Sequence, residues 1–94
     1  MSTARIIIDQ IKTIDNWAFG SWGAKNFVNT GNGLRFKTSG VTPWKGHVHI
    51  VYNAGTDLYD LEFLRVRKLA VISDKKVFGV FVDELVATID DFVG

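Results

Sequence analysis

Between Gly46 and Lys68 the chain reads GHVHIVYNAGTDLYDLEFLRVRK, two alternating apolar runs joined at a Gly-Thr-Asp turn. A period of two places successive side chains on opposite faces, so both runs predict strands with one buried side. In the first run, His47 to Tyr52, residues Val48, Ile50 and Tyr52 share one face. His47, His49 and Val51 share the other. In the second run, Leu58 to Arg67, residues Tyr59, Leu61 and Phe63 alternate with Asp60 and Glu62. Leu64 and Val66 then alternate with Arg65 and Arg67. The apolar phase changes between Phe63 and Leu64, which predicts a β-bulge or a bend there.

The flanking segments extend this pattern. Lys25 to Val28 and Leu34 to Thr38 enclose Asn29-Thr30-Gly31-Asn32-Gly33, and the Asn-Gly pair predicts a hairpin turn with positive φ. Leu34, Phe36 and Thr38 fall on one face, Arg35 and Lys37 on the other. Ser39 to Gly46 reads as a loop holding Pro43 and Trp44. Leu69 to Ile72 and Val77 to Phe81 are two further short strand candidates, around Ser73-Asp74-Lys75-Lys76.

Helical periodicity occurs at both ends. Ile7, Ile11, Ile14 and Ala18 repeat at helical spacing and predict a helix over 4–18, ended by Gly20 and Gly23. Leu85, Val86, Ile89, Phe92 and Val93 predict a second over 83–93, with Asp83 at its N-cap and Gly94 just past its end. Asp90 and Asp91 sit at the negative end of that helix dipole, so fraying is expected there. The sum is an α+β domain spanning 1–94. An antiparallel β-meander of four to five strands carries an N-terminal and a C-terminal helix packed on one face.

Composition narrows the function classes. Ninety-four residues without cysteine exclude disulfides and thiolate chemistry. No apolar run approaches a membrane span or a secretory leader, so a cytoplasmic protein with no membrane partner is expected. Net charge is +1, unevenly placed. Residues 25–76 hold nine Lys/Arg against four Asp/Glu, and the remainder holds two against six. A basic middle of this kind suits an anionic partner or serves solubility alone.

No catalytic set assembles from spacing. His47 and His49 point to one side of a strand and, with Asp60 or Glu62, could serve a metal; two solvated histidines beside acids is the plainer reading. Asp57, Asp60 and Glu62 are better suited to pairing with Arg35 or Lys37 across the sheet than to acid–base work. Ser21, Ser39 and Ser73 lie in predicted loops with no nucleophile elbow around them, and the Asn29–Gly33 turn lacks a phosphate-loop pattern. No cofactor is implied. The strongest binding hint is Trp17, Trp22 and Trp44 with Lys25, Lys45, Arg65, Arg67 and Lys68, with Arg35 and Lys37 joining the basic set on one surface, since aromatics beside cations stack bases, hold phosphates and anchor interfaces. Trp17 and Trp22 are expected between helix and sheet, and Trp44 is expected to be the most exposed aromatic.

The segment Asp15 to Val28, DNWAFGSWGAKNFV, resembles a group of small uncharacterised phage and prophage proteins. The likeness continues through Asp57-Leu58-Tyr59-Asp60-Leu61-Glu62-Phe63 with Val66-Arg67-Lys68. It ends in Val82-Asp83-Glu84-Leu85-Val86 with Ile89-Asp90-Asp91. The resemblance implies a protein made by a mobile element inside a bacterium, acting by binding and including inhibitors of host defence. The expected function is a non-catalytic binding protein whose partner is a host or phage protein. Nucleic acid or a nucleotide is the alternative, and a homodimer is a further option through Val51, Leu64 and Val66.

Overall fold

The structure, a computed structural model, describes residues 2–38 and 44–93. Five strands form one antiparallel sheet in sequence order: β1 Ala24–Asn29, β2 Gly33–Thr38, β3 His47–Asn53, β4 Leu58–Arg67 and β5 Ala70–Val80. Helices α1 Thr3–Ile14, α2 Ala18–Trp22 and α3 Leu85–Val93 complete the fold, with a 3-10 turn over Val82–Glu84. This is the expected α+β meander with a helix at each end. Short hairpin connections make each strand the neighbour of the next.

One face of the sheet is apolar because cross-strand partners share a side. Leu34 pairs with Ile50, Ile50 with Leu61, and Leu61 with Val77. Phe36 pairs with Val48, and Val48 with Phe63. These side chains meet Ile7 and Ile11 of α1, Trp22 of α2, and Leu85, Ile89 and Val93 of α3 in one buried cluster. Trp22 stacks on Phe36, their planes 5° apart, and its indole Nε1 donates to Asp90 at 3.1 Å. Asp90 therefore anchors the last turn of α3, where the dipole alone predicted fraying.

The N-terminal helix is shorter than its periodicity suggested. Ser2 caps it, accepting from the Arg5 backbone N–H at 3.2 Å. Asp15 ends it in extended backbone (φ −147°), and its carboxylate accepts from the Trp17 N–H at 2.9 Å. A local carboxylate–backbone bond of this kind competes with the helix. The chain restarts as α2, so Gly20 lies inside a helix and Gly23, at φ 62°, provides the left-handed cap. The break displaces the expected stripe: Ile14 is exposed, and Trp17, expected in the core, is 76% exposed.

The hairpin turn and the last helix also differ locally. The positive φ lies at Gly31 (90°), where the Asn29 side chain accepts from the Gly31 N–H, and not at Asn32-Gly33. Gly33 instead begins β2 so close to β3 that an added Cβ would lie 1.9 Å from the Ile50 carbonyl oxygen. Phe81, not Asp83, takes the N-cap position of the 3-10 turn before α3. Ser21 is helical and Ser73 lies in β5. The loop over 39–43 and the Gly94 cap position lie outside the described residues.

The two short strand candidates at the end of the sheet are one strand. Register shifts between Phe63 and Leu64, as the phase change predicted, but the extra residue belongs to the partner strand. Phe63 faces Lys75 and Leu64 faces Ser73, which leaves Asp74 over. A second shift, between Tyr59 and Leu61, is absorbed in β5 around Gly79, at φ 69°. Bulges let an edge strand of this length bend and discourage pairing with another chain.

Candidate functional site

With the helices stacked on one side, no described helix covers the opposite face of the sheet. Two rows of paired residues cross it. Lys25 faces Lys37, Lys37 faces His47, His47 faces Leu64, and Leu64 faces Ser73. Val28 faces Arg35, Arg35 faces His49, His49 faces Glu62, and Glu62 faces Lys76. The cations thus gather over β1 and β2 and the acids over β4.

The acids are already engaged elsewhere. Glu62 accepts from the Ser73 hydroxyl at 2.9 Å and pairs with Lys76 at 3.6 Å. Asp60 accepts from the Gly79 N–H at 3.1 Å, and Asp57 accepts from the Tyr52 hydroxyl. The expected pairing of these carboxylates with Arg35 or Lys37 is therefore not what forms. β5 lies directly beside β4, whereas β2 is a strand further away, and the nearer donors win. Lys25, Arg35, Lys37 and Lys45 have no acidic partner among the described residues.

A local lock places Lys45 and His47 beside Lys37. The Gly46 carbonyl accepts from the Thr38 N–H at 2.8 Å, and the Gly46 N–H donates to the buried Thr38 hydroxyl at 3.1 Å. A side chain at position 46 would meet the Leu64 carbonyl oxygen and the Trp44 ring. The lock leaves a shallow hollow of about 270 Å³ lined by Lys37, Lys45, His47 and Arg65. Burial first, then the positive charges of Arg35 and Lys37, push the His47 ring below its ordinary value. Burial and Arg35 do the same for His49, against an opposing pull from Glu62. Both rings are thereby disfavoured as cations, and His49 Nε2 lies 3.3 Å from the Thr30 hydroxyl.

The other expected binding residues divide. Trp44, expected to be exposed, is half-buried against Phe63 and Phe92, with ring centroids 5.7 and 5.2 Å away. Its Nε1 donates to Asp74 at 2.8 Å. Arg65 is paired with the same carboxylate, Nη2 to Oδ1 at 3.0 Å. Lys68 is exposed at the β4–β5 turn; the Arg67 side chain lies outside the described residues. Lys25 is among the basic residues expected from the sequence, but its place directly opposite Lys37 emerges only when β1 pairs with β2. Among the described residues no three His, Asp or Glu side chains gather to hold a metal ion, and no helix is long and apolar enough to cross a membrane.

Comparison with known proteins finds no matching family model, no matching curated protein and no matching solved structure.

Proposed function

We infer that the protein is a non-catalytic binder that uses the cationic half of its uncovered sheet face to grip an acidic surface on a partner protein. The observation that carries this reading is the set Lys25, Arg35, Lys37 and Lys45, which has no acidic partner among the described residues, with Lys25 directly opposite Lys37. Like charges facing each other across a sheet oppose folding, so the set is better explained by association than by stability. The phage and prophage resemblance supplies the context, a host protein bound by a product of a mobile element, with inhibition of host defence as the consequence. Nucleic acid is the second reading, favoured by the same charges. It is weakened because Trp44, the aromatic meant to stack bases, is half-buried against Phe63 with its indole N–H bonded to Asp74.

The test is affinity capture from bacterial lysate with the wild type and with Arg35→Glu/Lys37→Glu. A partner held at low salt, released as salt rises and absent from the charge-reversed variant supports the reading. A partner retained equally by both proteins sinks it. Electrophoretic shifts with DNA and RNA separate the second reading, which requires binding that weakens steeply with salt.

A further inference from the structure

At the end of the helical layer, a cleft of about 600 Å³ opens between α1, the β3–β4 turn and the segment leading into the 3-10 turn. Its size and mixed lining are those of small-molecule sites, mostly apolar with a few fixed polar groups. Tyr52, Tyr59 and Phe81 supply aromatic surface and Ile6 aliphatic surface. The two tyrosine rings lie 5.7 Å apart, tilted by 59°, and Phe81 is more than half exposed. The polar groups are also fixed. The Tyr59 hydroxyl donates to the Gln10 side-chain oxygen, and the Tyr52 hydroxyl donates to Asp57 Oδ1. Asp57 is held in left-handed backbone (φ 57°), its N–H donating to the Asn53 carbonyl at 2.8 Å, and its Oδ2 has no partner among the described residues.

The charge of this lining is one-sided. Among the described residues it contains the Asp57 carboxylate and no lysine, arginine or histidine. Aromatic ring faces are also electronegative and attract cations. We propose that the cleft binds an organic ammonium, a cation carried on an aromatic or aliphatic body. The body fills the space between Ile6, Tyr59 and Phe81, and the nitrogen sits between the Asp57 carboxylate and the tyrosine faces. Anionic ligands are excluded, because nothing in the lining answers their charge. This site is separate from the cationic sheet face, so either reading can fail without the other.

The experiment is an NMR titration of the intact chain with phenethylammonium chloride, beside the uncharged phenethyl alcohol. Expected are shifts at Gln10, Asp57, Tyr59 and Phe81, with the ammonium bound about tenfold more tightly than the alcohol. Asp57→Asn removes the charge and suits the positive φ, since Asn tolerates left-handed backbone. It should erase that preference while leaving the thermal midpoint in place. Phe81→Ala is the second variant, its side chain being largely exposed, and should weaken both compounds about fivefold. Equal affinity for ammonium and alcohol, an ammonium preference that survives Asp57→Asn, or no shift at millimolar ammonium would each overturn the proposal.

Discussion

Trp44 Nε1 donates to Asp74 Oδ2 at 2.8 Å, across thirty residues of sequence. Asp74 is the extra residue of the β5 bulge, between Ser73 opposite Leu64 and Lys75 opposite Phe63, and the same carboxylate holds the Arg65 guanidinium of β4. The bulge therefore frees one side chain to tie the approach to β3, the end of β4 and the β5 edge together. Asp74→Ala removes an acceptor from a partly buried indole and strands a half-buried arginine. It should cost about 2 kcal/mol, and Asp74→Asn, which keeps an acceptor, about half of that. Denaturant unfolding reads the loss. Tryptophan emission should shift red in the alanine variant only.

Gly33 offers a sharper steric test. An alanine there would drive a methyl group to 1.9 Å from the Ile50 carbonyl oxygen, so β2 and β3 must separate. The expected loss is roughly 3 kcal/mol. Gly20→Ala is the control, since an added Cβ meets nothing within 4 Å and the position is helical. It should stabilise by about 0.5–1 kcal/mol. Thermal melts of the two variants should move in opposite directions.

The β4–β5 turn has room for improvement. Lys68 and Leu69 have φ of 46° and 69°, values that suit Asn and Gly, and Leu69 is fully exposed. Lys68→Asn/Leu69→Gly should stabilise the fold by about 1–2 kcal/mol. A denaturation midpoint equal to or below that of the wild type would rule this out.

Stability should fall on mild acidification. His47 and His49 have folded-state values below the ordinary 6.5 of a free imidazole. The unfolded chain therefore binds protons that the folded chain refuses. Their contribution is complete above the unfolded value and is lost as pH falls through the folded values. Chemical denaturation at pH 7.5 and near pH 5 should show this loss, and it should shrink in Arg35→Gln, which removes a charge that opposes protonation of both rings.

Neutralising one of the facing lysines tests whether the cationic patch serves the fold. Lys37→Gln should leave stability unchanged or raise it by up to ~0.5 kcal/mol, because it relieves like charges directly across the sheet. A loss above 1 kcal/mol, read by urea unfolding, would show instead that the patch is structural.

The strand meander was legible in residues whose alternation has one solution. Val48, Ile50 and Tyr52, and Tyr59, Leu61 and Phe63, can bury together only if their strands pair in the observed register, and two amphipathic helices can then cover one face of the sheet. Backbone breaks were less legible. Asp15 ends α1 through one side-chain bond to Trp17, a competition that periodicity does not register. The site depended most on distant partners. Glu62 was expected to neutralise Arg35 or Lys37, but Ser73 and Lys76 of the adjacent strand reach it first, and this leaves the cations over β1 and β2 without an acidic partner among the described residues. Trp44 looked exposed beside its loop, yet Phe63, Phe92 and Asp74 draw it inward. The amino-acid order alone set the first four strands, the meander order and the apolar side, because burial of alternating side chains is a local and repetitive demand. The tertiary structure alone decided which charges are satisfied and which face outward unpaired, because an ion pair or an indole hydrogen bond depends on which strand lies alongside and where its bulges fall.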